Sequence, residues 1–364
     1  MLPSTSWGAL SVTPNDCIAL PQAYNPHNNR SYGGSVQRGL SAAIAAAAEF
    51  DVCEAADKRY SFVDTCFGTH HLQFGYDAND TLWFSGTGPV AGWLNTKLFD
   101  ETGDAVRAQG WSPFILDING NGKRDDYVGP KDPVDPAKDK QIIPGSGAYA
   151  VMPSPVDGSI WYTVATFAGP SGFLRFDPAT GLSELYKVPK NALGIRGGDI
   201  DKNGVVWGSL SNGHLGSFDR RKCKGPLNGP KATGDHCPEG WTLYRYPGPG
   251  FAGFEKNSAE GSYYTWVDQH NTSGLGENIP ISTANINDGF VALKDGKMVM
   301  IRIPYPMGFY AKGLDGRIDD PNAGWKGRGL WSTSGDRTPW LMEGGKGSKP
   351  RAVHIQFRPT PLAR

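Results

Sequence analysis

Apolar residues in this chain recur in short alternating runs, each closed by a turn pair, and three of these runs line up on a tryptophan. They are "LQFGYDANDTLW" ending at Trp83, "AVMPSPVDGSIW" at Trp161 and "RGGDIDKNGVVW" at Trp207. A turn pair (Asn79-Asp80, Asp157-Gly158, Asn203-Gly204) stands at one distance from each tryptophan, and a fixed turn position fixes hairpin register. A second element follows each: "LFDETG" at Phe99-Asp100, "RFDPATG" at Phe176-Asp177 and "SFDRRKC" at Phe218-Asp219. The further alternating runs "SELYKVP" and "WTLYRYP" come after the last two. "RYSFVD" comes after an earlier, divergent copy at Phe50-Asp51. The pattern predicts a repeated unit of strand, turn, tryptophan strand, strand ending in Phe-Asp, turn, strand, which is a four-stranded meander.

Four-stranded units repeating every 40 to 60 residues are expected of a β-propeller, where each sheet buries its faces against its neighbours around a central channel. The prediction is an all-β fold, a single domain over residues 1–364, with about six blades and five or seven as alternatives. An open pair of packed sheets is the competing architecture. The C-terminal third continues the pattern loosely in "GFVALKDGKMVMIRIPYP", "GRGLWSTSG" and "RAVHIQFRP", the last a candidate to close the ring beside N-terminal strands. Residues 101–145 and 251–285 read as insertions, and "SVQRGLSAAIAAAAEF" as a partly helical excursion.

The repeated "Asp/Asn-Gly-x-x-Trp" followed by "Phe-Asp-x-x-Thr-Gly" resembles the streptogramin lyase (virginiamycin B lyase-like) group of β-propellers, best over residues 60–250. The stretches "IDKNGVVWGSLSNGHLGSFDRRKCKGPLNGP", "CPEGWTLY" and "YPMGFYAKGLDGRIDDPNAGWKGRGLW" look like those of uncharacterised bacterial members of the group. The resemblance implies a metal-assisted elimination on a cyclic depsipeptide, with His and Glu lining the channel. Where that group commonly places a His eleven residues before the blade tryptophan, this sequence has Leu72, Ala150 and Arg196.

Composition sharpens this picture. Forty-nine Gly and 28 Pro among 364 residues, with 11 Trp, 14 Tyr and 16 Phe, suit many short strands and tight turns. Thirty-six basic and 36 acidic side chains cancel without a long run of either sign, which disfavours nucleic acid as a partner. The longest apolar run, residues 42–48, is far short of the roughly 20 residues of a membrane span, so a soluble chain is expected. The start "MLPSTSWGAL" has no charged n-region or apolar h-region, which fits cytosolic residence or a chain cut to its mature part. Cys223 and Cys237 bracket a Gly/Pro-rich excursion and are candidates for a local disulfide, favouring a periplasmic or secreted protein. Cys17, Cys53 and Cys66 allow one more bridge; five reduced cysteines in a cytosolic protein is the competing reading.

In a propeller the innermost strand of each blade begins at the channel mouth, so residues just before each first apolar run converge. That places His70, His71, Tyr149 and Arg196 on one ring. Two adjacent histidines in a strand point to opposite faces. Only one would look into the channel, the other would pack between blades, and the pair is no bidentate metal clamp. An imidazole there suits a base or a metal ligand, and Arg196 an anion. Glu260, in the second insertion, is the candidate acid/base partner. Tyr263, Tyr264 and Trp266 beside it offer a wall for an aromatic or sugar-like ligand. A divalent ion at the channel mouth is a further candidate. His214 and the loop 313–329, with Arg317 and Lys326, read as structural.

"DINGNGKRDDY" sets Asp117, Asn119, Asn121 and Asp125 at the spacing of an EF-hand-like calcium loop, with Gly122 at the sharp turn. Val128 stands where the bidentate Glu would be, so calcium would need a ligand from elsewhere, with Asp126 and Asp132 as candidates; an ion-free Asx turn is the alternative. Two functional classes follow. One is a lyase-like or hydrolytic enzyme acting on a cyclic ester, peptide or glycan-like substrate; the other is a propeller that binds a small-molecule, peptide, glycan or protein partner without catalysis. Oligomeric state stays open.

Overall fold

In this computed structural model, described residues are 4–5, 60–61, 63, 65, 67–85, 89–143, 147–164, 171–303, 309–318, 328–334 and 351–355. A short parallel pair, β1 (Ser4–Thr5) and β2 (Tyr60–Ser61), precedes the repeated part. The first meander runs through β3 (His71–Phe74), β4 (Thr81–Ser85), β5 (Val90–Asn95) and β6 (Gln109–Leu116). Two short strands, β7 (Tyr127–Val128) and β8 (Asp139–Ile142), extend it, β8 pairing with β6. The second meander is β9 (Ala148–Pro153), β10 (Ile160–Val164), β11 (Gly172–Asp177) and β12 (Leu182–Lys187). The third is β13 (Ile195–Ile200), β14 (Val206–Leu210), β15 (His214–Phe218) and β16 (Trp241–Arg245). The fourth is β17 (Thr265–Asp268), β18 (Ile279–Ala284), β19 (Gly289–Lys294) and β20 (Lys297–Arg302). A three-stranded sheet of β21 (Leu314–Ile318), β22 (Arg328–Ser334) and β23 (Arg351–Ile355) completes the described strands.

The core lies between consecutive meanders. Trp83, Ala91 and Phe114 of the first pack on Val151, Tyr162 and Phe176 of the second. Met152, Trp161 and Phe173 of the second meet Ile195, Val206 and Phe218 of the third. Leu215 and Tyr246 meet Val291 and Leu293 of the fourth, and Phe290 and Ala292 meet Leu314 and Leu330 beyond it. Each buried aromatic contributes about 1.5–3 kcal/mol by leaving water. First strands of successive meanders lie side by side, β3 by β9, β9 by β13, β13 by β17 and β17 by β21. Sheets packed in sequence, each first strand beside the next, make a β-propeller and exclude two face-to-face sheets.

The tryptophan repeat is realised as read: Trp83, Trp161 and Trp207 sit on β4, β10 and β14. Gly158, Gly204 and Asp80 take positive φ in the turns before them, with φ of 68°, 78° and 47°. Phe176-Asp177 and Phe218-Asp219 end third strands. Phe99-Asp100 does not. It lies on helix α1 (Thr96–Thr102), because Asn95 Oδ1 accepts from Leu98 N at 2.9 Å and Gly103 closes the helix at φ 67°. A one-turn helix α2 (Ala105–Ala108) follows, and β6 completes the first meander.

Residues 101–145 therefore include a blade strand, and 251–285 include β17 and the start of the fourth meander, parts that the weak local alternation of these stretches did not reveal. β23 pairs antiparallel with β22, Leu330 facing Ile355, and forms the third strand of the last sheet; its pairing with N-terminal residues, the expected closure of the ring, falls on a segment that lies almost wholly outside the described residues. The earlier Phe50-Asp51 copy, the Ala-rich stretch, Cys17, Cys53, Cys66 and residues 319–327 lie outside the described residues. Cys223 and Cys237 form a disulfide with a Cα–Cα distance of 5.1 Å. No helix among the described residues is long and apolar enough to cross a membrane.

Candidate functional site

Because first strands run side by side in one direction, their N-terminal ends share one opening. His70, His71, Tyr149, Arg196, Tyr263 and Tyr264 meet there, drawn from four meanders. Tyr149, 7% exposed, is the centre. Its ring lies 5.3 Å from His70 and 4.7 Å from His71. Its hydroxyl is 3.2 Å from that of Tyr263, and its carbonyl accepts the Ser85 hydroxyl of β4. The Arg196 guanidinium sits over both phenol rings, 5.6 Å from Tyr149 and 5.1 Å from Tyr263, and the Lys312 ammonium is 5.4 Å from the Tyr263 ring.

The two histidines do not divide between channel and blade interface. β3 begins at His71, so His70 occupies a bend outside the strand and its ring turns back, 4.5 Å edge-on to His71. His70 is exposed, with its N–H donating to Ser85 O at 2.6 Å. His71 faces inward, 5.8 Å from Tyr264, and its Nε2 is enclosed with no hydrogen-bond partner.

Partial desolvation by the protein packed around its ring, then the charge of Arg196, lowers the His70 pKa below the usual imidazole value although the residue keeps an exposed edge. Burial, with His70 alongside, pushes His71 down to about 3. Both rings are therefore neutral at pH 7. Burial and the Tyr263 hydroxyl raise Tyr149, and burial raises Tyr264, so both stay protonated donors.

Tyr264 reaches the channel because residue 197 has no side chain. A Cβ there would stand 1.9 Å from Tyr264 Cδ2, and Gly197 N donates to Tyr263 O at 3.0 Å, tying β13 to the segment before β17. Trp266, two residues on, packs over Gly316 of β21, whereas Tyr264 packs over Gly197 of β13. There, with Gln73, Tyr76, Asp199, Gln269 and Asp315, it lines a cavity of about 170 Å³. That is smaller than the roughly 300–1,000 Å³ of sites that enclose a ligand. Asp199, 7% exposed, accepts from Ile200 N and Val267 N, each at 2.8 Å, and burial lifts its pKa to about 7. The alternating pattern of β13 gave no sign of this carboxyl, nor of Lys312.

Glu260, 3% exposed, is taken up elsewhere: Oε1 accepts from Gly261 N and Ile286 N, both at 2.9 Å, and Oε2 from the Asn287 amide. It clamps its own loop to the β18–β19 turn. Among the described residues no three His, Cys, Asp or Glu side chains stand together to hold a metal ion. At the mouth two imidazoles beside a guanidinium are a poor fit to a divalent ion, which would want carboxylate or further imidazole ligands.

No protein-family profile matches the chain, and no curated protein matches it. Among solved structures it is similar to virginiamycin B lyase from Staphylococcus aureus, at 15% identity and TM-score 0.44, covering 82% of this chain and 72% of that one. It is also similar to a protein of unknown function from Bacteroides caccae, at 12% identity and TM-score 0.41, covering 79% and 77%. A third is the extracellular domain of a two-component system from B. thetaiotaomicron, at 12% identity and TM-score 0.42, covering 79% and 31%. At such TM-scores the likeness carries no argument about this chain's chemistry.

Proposed function

We propose that the protein is a propeller enzyme of the lyase or hydrolase kind, acting at the channel mouth on an anionic ester, peptide or glycan-like molecule. One observation carries this: two neutral imidazoles, the hydroxyl pair of Tyr149 and Tyr263 and a guanidinium converge at one opening. Arg196, with Lys312 nearby, supplies positive charge for a carboxylate or a developing oxyanion.

The two histidines differ in fitness as a base. A group whose conjugate acid titrates near 3 takes a proton poorly at neutral pH, whereas the exposed His70 is held neutral with less penalty and faces solvent. His70 is thus assigned as base and His71 as the ring that props it against Tyr149. In an elimination, His70 takes the proton from the carbon next to the substrate carbonyl. The C–H electron pair becomes the new double bond as the C–O bond breaks, and the Tyr149–Tyr263 pair donates a proton to the departing oxygen. Arg196 balances the enolate-like charge between these steps. The Cys223–Cys237 disulfide supports a periplasmic or secreted setting, since such bonds persist where thiols are oxidised.

The same surface without turnover would be a binding module, a reading favoured by the tyrosine pair stacked under cations. A panel of cyclic esters and uronic-acid oligomers separates the two. His70→Gln should abolish turnover and keep substrate affinity, while Arg196→Met should weaken both by about 10- to 100-fold. Binding by the unmodified protein with no turnover across the panel would leave the binding module; unchanged turnover in His70→Gln would remove the base assignment.

A further inference from the structure

The 117–125 loop stands apart from the channel and is folded as a cation loop would be. Asp117, 2% exposed, accepts from Gly120 N at 2.7 Å and Asn121 N at 3.2 Å on one oxygen, and from Gly122 N at 2.8 Å on the other. Gly120 and Gly122 take positive φ, 77° and 76°, which makes the sharp turn. The Asn119 and Asn121 amides both donate to Asp125 Oδ2, at 2.8 and 2.6 Å.

Those contacts alone describe an Asx-rich turn. The independent observation is Asp139. It lies on β8, wholly buried, brought beside the loop by the parallel pairing of Tyr127 with Asp139. Its Oδ2 accepts from Asp125 N at 2.8 Å, so the carboxyl enters the loop. Its Oδ1 is buried with no hydrogen-bond partner; the Ile118 N–H lies near enough to favour the charge without completing a bond. A carboxyl enclosed beside two further carboxylates, with one oxygen unmet, is costly unless a cation enters or a proton stays.

We propose that residues 117–125 form a calcium site whose missing twelfth-position carboxylate, replaced by Val128, is supplied by Asp139 from the neighbouring strand. The oxygen set is Asp117, Asn119, Asn121, the Lys123 carbonyl, Asp125 and Asp139, a hard all-oxygen shell that suits calcium. The carboxylates do not stand together as tightly as a bound ion would hold them. Ion entry requires the two asparagine amides to turn their oxygens inward, releasing Asp125 Oδ2. The Asp117 carbonyl accepts from Gly229 N at 2.8 Å, and Gly229 lies between the bonded Cys223 and Cys237, so calcium and the disulfide brace one surface.

The test is calorimetric titration of the EDTA-stripped, desalted full chain with calcium chloride, paired with melting curves. The expected result is one calcium bound with Kd at or below about 1 mM and a Tm raised by a few degrees. Asp139→Asn should weaken binding at least tenfold while melting, without calcium, no lower than the unmodified chain. Asp125→Asn, at a site nearer the surface, should also weaken it and guards against a folding failure at Asp139. No heat and no Tm shift up to about 10 mM calcium, well above the weakest class of such loops, would overturn the site. Asp139→Asn binding calcium with unchanged affinity would overturn the ligand assignment.

Discussion

Replacing His71 by Phe tests the electrostatics of the channel mouth directly. The ring contacts at 4.7 Å to Tyr149 and 5.8 Å to Tyr264 can be kept by a phenyl group, and the enclosed Nε2 has no partner to lose. What disappears is the titration. In the fold the imidazole titrates near 3, against about 6.5 in an unfolded chain. Below pH 6.5 the unfolded chain takes up a proton that the folded one refuses. Stability from this group is therefore complete above pH 6.5 and falls as pH drops, by up to about 1.4 kcal/mol per unit, until pH nears 3. Between pH 7.5 and 4.5 the ceiling is about 2.7 kcal/mol. His71 is only half-buried although its Nε2 is enclosed, so solvent screening brings the expected loss to about 1–2 kcal/mol. Urea unfolding followed by tryptophan fluorescence at pH 7.5, 6.0 and 4.5 gives the difference between wild type and His71→Phe. Wild type should lose ground to the variant as pH falls. A difference flat to within about 0.5 kcal/mol would mean that the imidazole is hydrated or paired and that burial does not hold it neutral.

Asp199 should slope the opposite way. Its carboxyl titrates near 7 in the fold, so the unfolded chain loses the proton first and wild-type stability falls as pH rises from about 4 to 7; Asp199→Asn, followed by the same urea series, should remove a fall of at most about 4 kcal/mol. The two groups oppose each other in one pH window, which is why single variants and not the wild-type profile are informative. Gly197→Ala would drive a Cβ to 1.9 Å from the Tyr264 ring; a loss of about 1–3 kcal/mol and a changed near-ultraviolet dichroism are expected, and an unperturbed spectrum would refute the close approach.

Local sequence determined the blade grammar. Turn pairs before Trp83, Trp161 and Trp207 set hairpin register through contacts a few residues apart, so a single pass along the chain reads them. The same grammar brought His70, His71, Tyr149 and Arg196 to one ring, because they stand at equivalent places before first strands. Where a local signal competed, tertiary context decided: Asn95 and Gly103 turned the Phe99 segment into a helix, and β17, with Trp266 on it, formed within a stretch whose alternation is too short to read alone. His70 and His71 follow strand alternation only if the strand includes both, and it begins between them.

Long-range pairing decided the rest. Asp139 reaches the 117–125 loop only through the β7–β8 register, Lys312 reaches Tyr263 only across two sheets, and Asp199 becomes a group titrating near 7 only once β17 and β21 close over it. Hairpins are specified by neighbours in sequence, whereas burial, charge coupling and the meeting of blades at an axis depend on which sheets pack together. The chain's pattern therefore stated where first strands begin, and only the packed sheets determined which residues face inward and what each of them meets there.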